Sequence, residues 1–87
     1  MSTPHPPETD VTFTLNGAER TAAPGATLRE VIAAEIGREV GDDGRLPGGQ
    51  GTGVAAAVDG EVVPRARWVT TGVGGARIEL VTATQGG

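Results

Sequence analysis

Val11-Thr12-Phe13-Thr14-Leu15-Asn16-Gly17 is the stretch that decides the architecture. Its first five residues alternate apolar and polar side chains, the pattern of a strand with one buried face. Asn16-Gly17 follows at once. Both residues tolerate the positive φ of a type I′ turn, so the dipeptide predicts a tight hairpin with residues 18–22 as the returning strand. A second block repeats this grammar. Val54-Ala55-Ala56-Ala57-Val58 is a short apolar strand candidate, Asp59-Gly60 is a second turn of the same type, and Glu61-Val62-Val63 returns until Pro64 stops it.

Between the hairpins, Pro24-Gly25 breaks the chain and Thr27-Leu28-Arg29-Glu30 reads as a capping box. Leu28, Val31, Ile32 and Ile36 recur at helical spacing and form one apolar stripe. The spacing predicts a helix to about Val40, with Gly37 weakening its last turn by roughly 1 kcal/mol relative to Ala. Residues 41–53 (GDDGRLPGGQGTG) hold six glycines and one proline, a composition that predicts a flexible loop with no packed element. Its GGQGTG portion has the glycine content of a phosphate cradle, but it lacks the lysine, the preceding strand and the following helix of one.

Downstream of Pro64, residues 64–71 read as a short connecting turn whose Trp68 plugs the core. Residues 72–75 are another turn, and residues 77–83 alternate as a last strand that leads into Thr84-Gln85-Gly86-Gly87. The order is hairpin, helix, hairpin, strand. A helix on one face of a mixed sheet buries both apolar faces, which makes the fold class α+β. This order fits a β-grasp (ubiquitin-like) domain over residues 11–83, with the first and last strands as central neighbours. Residues 1–10, with three prolines, read as a disordered leader, and residues 84–87 as a flexible tail. The predicted core is Phe13, Leu15, Leu28, Val31, Ile32, Ile36, Val58, Trp68, Ile78 and Leu80.

Composition removes several function classes. The chain has 87 residues, enough for one domain and too few for a large catalytic cavity beside a core. Its 37% hydrophobic content, with Phe13 and Trp68 as the aromatics, leaves Val, Leu, Ile and Ala to build the interior. The net charge is −4 and the seven basic residues are scattered arginines, which argues against a nucleic-acid partner. Without lysine there is no Schiff-base or P-loop chemistry, and without cysteine no thiolate nucleophile, disulfide or zinc–thiolate site. His5 stands alone in the leader, with no neighbours at ligand spacing. The N-terminus lacks the pattern of a signal peptide, and no apolar run approaches the roughly 20 residues of a membrane helix. The chain therefore reads as cytoplasmic, with no membrane partner.

The terminal Gly86-Gly87 is the chemically informative feature. Glycine suits a tail that must enter a narrow slot, because nothing projects from its backbone. Four residues beyond Ala83 reach about 13 Å when extended. From the dipeptide alone, a frayed end is the more ordinary reading.

The second half of the chain resembles the sulfur carrier of thiamine biosynthesis, the ThiS family. The resemblance rests on Val58-Asp59-Gly60-Glu61-Val62-Val63, on Pro64-Arg65 with Trp68 three residues on, on Ile78-Glu79-Leu80-Val81, and on Gln85-Gly86-Gly87. The Asn16-Gly17 hairpin and the Thr27-capped helix fit the family's first half. Three features depart from it: Gly74-Gly75 before the last strand, the long loop 41–53, and the leader.

The resemblance implies that the chain is not an enzyme but a co-substrate. Gly87 would be the adenylation and thiocarboxylate site, and Gln85 and Gly86 would thread the tail. The partners it implies are an adenylating enzyme (ThiF-like) that uses ATP and Mg²⁺, a persulfide sulfur donor, and thiazole synthase (ThiG-like). This chain itself would bind no cofactor or metal. Strand alternation would place Ala55, Ala57, Val81 and Ala83 as an apolar patch on the open face of the sheet, where the adenylating enzyme would dock. Carriers for molybdopterin or cysteine synthesis, and ubiquitin-like protein modifiers, share the same fold and terminus. A non-catalytic β-grasp binding module is the rival from another class.

Overall fold

Both Asx-Gly dipeptides turn the chain as their composition dictates. Asn16 and Gly17 have φ of 50° and 86°, and Asp59 and Gly60 have φ of 53° and 88°, the left-handed pair of a type I′ turn. The first joins β1 (Val11–Leu15) to β2 (Ala18–Ala22), and the second joins β3 (Val54–Val58) to β4 (Glu61–Val63). The computed structural model of the chain describes residues 10–82. The leader through residue 9, Ala83 and the tail from Thr84 to Gly87 lie outside the described residues.

The five strands form one sheet in the order β2-β1-β5-β3-β4. The last strand, β5 (Arg77–Thr82), runs parallel to β1 and antiparallel to β3, so the first and last strands are neighbours inside a mixed sheet. One helix, α1 (Leu28–Ile36), covers one face, burying Leu28, Val31 and Ile32. This is the β-grasp arrangement.

The capping box is present at the start of α1. Thr27 Oγ1 accepts from the Glu30 N–H and Glu30 Oε1 accepts from the Thr27 N–H, satisfying two otherwise orphaned donors. The helix stops at Ile36 rather than near Val40. Gly37 adopts the left-handed conformation at φ 68°, and both its N–H and that of Arg38 donate to the Ala33 carbonyl. Gly37 therefore ends the helix instead of weakening its last turn, because glycine enters the left-handed region without steric cost.

The connection after β4 is also more regular than a turn. Arg65–Thr70 forms a 3₁₀ helix that packs on α1. Trp68 on this helix is 1% exposed, and its indole N–H donates to the Val63 carbonyl at 3.1 Å, so the buried polar atom is paired.

Seven of the ten expected core residues are buried: Phe13, Leu15, Leu28, Val31, Ile32, Trp68 and Ile78. Ile36, Val58 and Leu80 are half-buried against that core, the first two as the last residues of α1 and β3. Val40, Leu46, Ala56, Val73 and Ala76 complete the interior.

Leu46 departs from the expectation that residues 41–53 contain no packed element, and Val40 just before them is buried as well. Leu46 enters the core, and the segment closes on itself through Gly41 N–H to Arg45 O (2.8 Å) and Leu46 N–H to Gln50 O (2.8 Å). Arg29 of α1 donates to the Val40 carbonyl at 2.8 Å and holds the entrance. Gly44, at φ 78°, lies against the 3₁₀ helix. A Cβ there would stand 2.7 Å from Arg65 Cβ and 2.8 Å from the Arg65 carbonyl oxygen. Glycine serves here to let two backbones touch.

Candidate functional site

The sheet face opposite α1 is uncovered among the described residues, and the strand register dictates what it presents. Ile78 is buried under α1 and Leu80 packs against the core beside it, so Arg77, Glu79 and Val81 project from the other face. In β3, Val54, Ala56 and Val58 pack inward, leaving Ala55 and Ala57 to point out.

Register then pairs Ala55 with Val81 and Ala57 with Glu79 across β3 and β5, and Ala57 with Val62 across β3 and β4. Three of the four residues expected in the patch are thus brought together. Ala55 and Val81 are exposed and Ala57 is half-buried, while Ala83 lies outside the described residues.

The pattern differs from a purely aliphatic strip in two ways. Glu79 places a carboxylate opposite Ala57. Val62, which the sequence reading did not single out, is 77% exposed and extends the apolar surface to the edge strand β4, while Val81 on β5 is 64% exposed. A signal for Val62 was present. In a two-residue hairpin the turn sets the register, so Asp59-Gly60 places Val62 opposite Ala57 and on the same face.

The Ala55–Val81 pair of this face adjoins the last described residue of β5. Thr82, the last residue of β5, pairs with Val54 at the start of β3. The sequence-derived sites at Gln85, Gly86 and Gly87 follow it and lie outside the described residues. Among the described residues no group of three or more His, Cys, Asp or Glu side chains is placed to hold a metal, and no helix is long and apolar enough to cross a membrane.

A five-stranded mixed sheet with one helix, a Trp-bearing 3₁₀ connection and a last strand leading to Gly-Gly invites comparison with known families. The family model described as ThiS family matches residues 13–87. The chain belongs to the ThiS family. The match includes Gln85-Gly86-Gly87 and leaves out the leader. The fold is similar to the crystal structure of the thiamine biosynthesis protein ThiS from Geobacter metallireducens. Identity is 22%, the TM-score is 0.55, and the alignment covers 87% of this chain and 99% of that one. At that identity the likeness bears on the fold. No curated protein sequence matches the chain.

Proposed function

We propose that this chain carries sulfur in thiamine biosynthesis, on the carboxylate of Gly87. The observation that carries the reading is the ThiS family match, which extends through Gly87.

A carboxylate is a poor electrophile because its charge is delocalised and its oxygen leaves badly. An adenylating partner with ATP and Mg²⁺ would join the Gly87 carboxylate oxygen to the α-phosphorus of ATP, expelling pyrophosphate. A persulfide's terminal sulfur would then attack the activated carbonyl carbon and displace AMP, leaving an acyl disulfide. A second thiol would take the donor sulfur as a disulfide and release the thiocarboxylate. That thiocarboxylate would deliver its sulfur to thiazole synthase. The chain has no cysteine, so its terminus is the group that can hold the sulfur.

Incubation with the cognate adenylating enzyme, ATP and a persulfide donor should add the mass of one oxygen-to-sulfur exchange, and fragmentation should place it on Gly87. Sulfur found on an internal residue, or no mass change, refutes the mechanism.

Docking falls to the open face, with Ala55, Ala57, Val62 and Val81 on the described part of it and Ala83 next along the chain. An exposed apolar strip beside a reactive terminus is suited to partner binding. Val81→Asp should weaken affinity for the adenylating enzyme about 10-fold or more, because an unpaired carboxylate would be desolvated at the contact. Stability should fall by about 1 kcal/mol or less, since Val81 lies outside the core. Unchanged affinity in the folded variant removes this face from the docking surface and leaves the carrier function standing.

A further inference from the structure

Beyond its ladders with β1 and β3, the strand that leads toward the terminus is gripped by a side chain from each hairpin turn. Along β1 the parallel contacts run Gly75 N–H to Thr12 O (2.7 Å), Thr14 N–H to Ala76 O (3.0 Å) and Asn16 N–H to Ile78 O (2.8 Å). The next contact in such a ladder would be Leu80 N–H to the Asn16 carbonyl. Asn16 has already entered the turn at φ 50°, and its carbonyl takes no bond from the Leu80 N–H. Its side chain supplies the acceptor instead: Leu80 N–H donates to Asn16 Oδ1 at 2.9 Å. Asp59 does the same at the other end of β5. Its N–H donates to the Arg77 carbonyl at 2.8 Å, and its Oδ1 accepts from the Arg77 N–H at 2.9 Å.

Each turn therefore uses an Asx side chain to add one rung where the neighbouring strand runs out. Asp59 grips β5 at its first residue. Asn16 grips it at Leu80, two residues before the last described rung at Thr82.

We infer that Asn16 is a positioning residue, one that sets the register and direction in which β5 leaves the sheet toward Gly87. Gly17 alone would serve the turn, since Gly-Gly also forms type I′ hairpins. The side chain at position 16 adds the hold on Leu80. On the β1 side nothing else among the described residues bonds the Leu80 N–H. The consequence for turnover rests on the carrier reading above, whereas the hold on the strand does not.

Asn16→Gly keeps the turn and removes the acceptor, while Asn16→Asp keeps both. In the full chain, Asn16→Gly should speed hydrogen exchange at the Leu80 amide about 10-fold, and Asn16→Asp should restore protection. With the adenylating enzyme and ATP, Asn16→Gly should lower kcat about 10-fold through a misaimed carboxylate. KM should stay within about twofold, because the docking face is untouched. Asn16→Asp should recover kcat.

Unchanged Leu80 protection in Asn16→Gly overturns the inference. So does unchanged kcat, a loss confined to KM, or a loss of kcat that Asn16→Asp fails to restore. If the wild-type chain is not adenylated at all, the carrier reading falls, and Leu80 exchange in the three proteins still decides whether Asn16 holds the strand.

Discussion

Removal of Gly87 should abolish sulfur transfer and leave thermal unfolding unchanged. The buried core described here runs from Phe13 to Ile78, and the last described rung of the sheet is Val54 with Thr82, so the deletion takes nothing from either. One residue fewer withdraws the carboxylate by about 3.5 Å. Reacting atoms must come within about 3–3.5 Å of each other, and a misplacement of about 1 Å already costs on the order of 100-fold. Appending one residue after Gly87 should be equally damaging, because it buries the reactive carbonyl in a peptide bond. Thiazole formation and intact mass, measured with the deletion and the extension, check both. A deletion variant that still supports thiazole formation contradicts the carrier function. A lowered melting temperature would instead make the tail a structural element.

Trp68→Ala should have the largest effect on folding. Trp68 is the largest of the fully buried side chains, and it seats the 3₁₀ helix among the core residues on the α1 side of the sheet. Its removal leaves a cavity and frees the Val63 carbonyl from its donor. Truncations of this kind cost about 3–5 kcal/mol. A small domain has only about 5–15 kcal/mol in total, so much of the population should unfold on mild warming. Trp68→Phe separates the two losses. It keeps most of the volume but not the indole N–H, and it should cost about 1–3 kcal/mol. Urea titrations of the three proteins measure both steps. A cost below about 1 kcal/mol for Trp68→Ala would mean that the 3₁₀ helix contributes little to the core.

The local elements of this protein were legible residue by residue. Asn16-Gly17 and Asp59-Gly60 specify their turns because positive φ is a property of those residues themselves. Thr27 and Glu30 specify a helix start because both hydrogen bonds close within three residues. Alternation in residues 11–15 and 77–82 specifies which side chains face α1, because the strand period is two wherever the strand lies. From these, the β-grasp order and the direction of Ala55, Ala57 and Val81 follow without coordinates. The terminal Gly86-Gly87 was legible too, as composition, and the family match reinforces it.

What the sequence could not determine depends on residues far apart in the chain. Glycine in residues 41–53 is equally compatible with a free loop and with close backbone approach. Only the arrival of Arg65 beside Gly44 selects the second. Val40, Leu46 and Val73 carry no periodic signal, and they become core because the fold brings α1, the loop and the 3₁₀ segment to one place. The bond from Leu80 to Asn16 spans 64 residues and exists because β5 inserts beside β1 and outruns it. Local chemistry thus decided the elements, their turns and their faces. Tertiary structure decided which glycines are packed and which side chains hold the last strand, because a non-local contact has no energy until the chain has closed the loop that makes it.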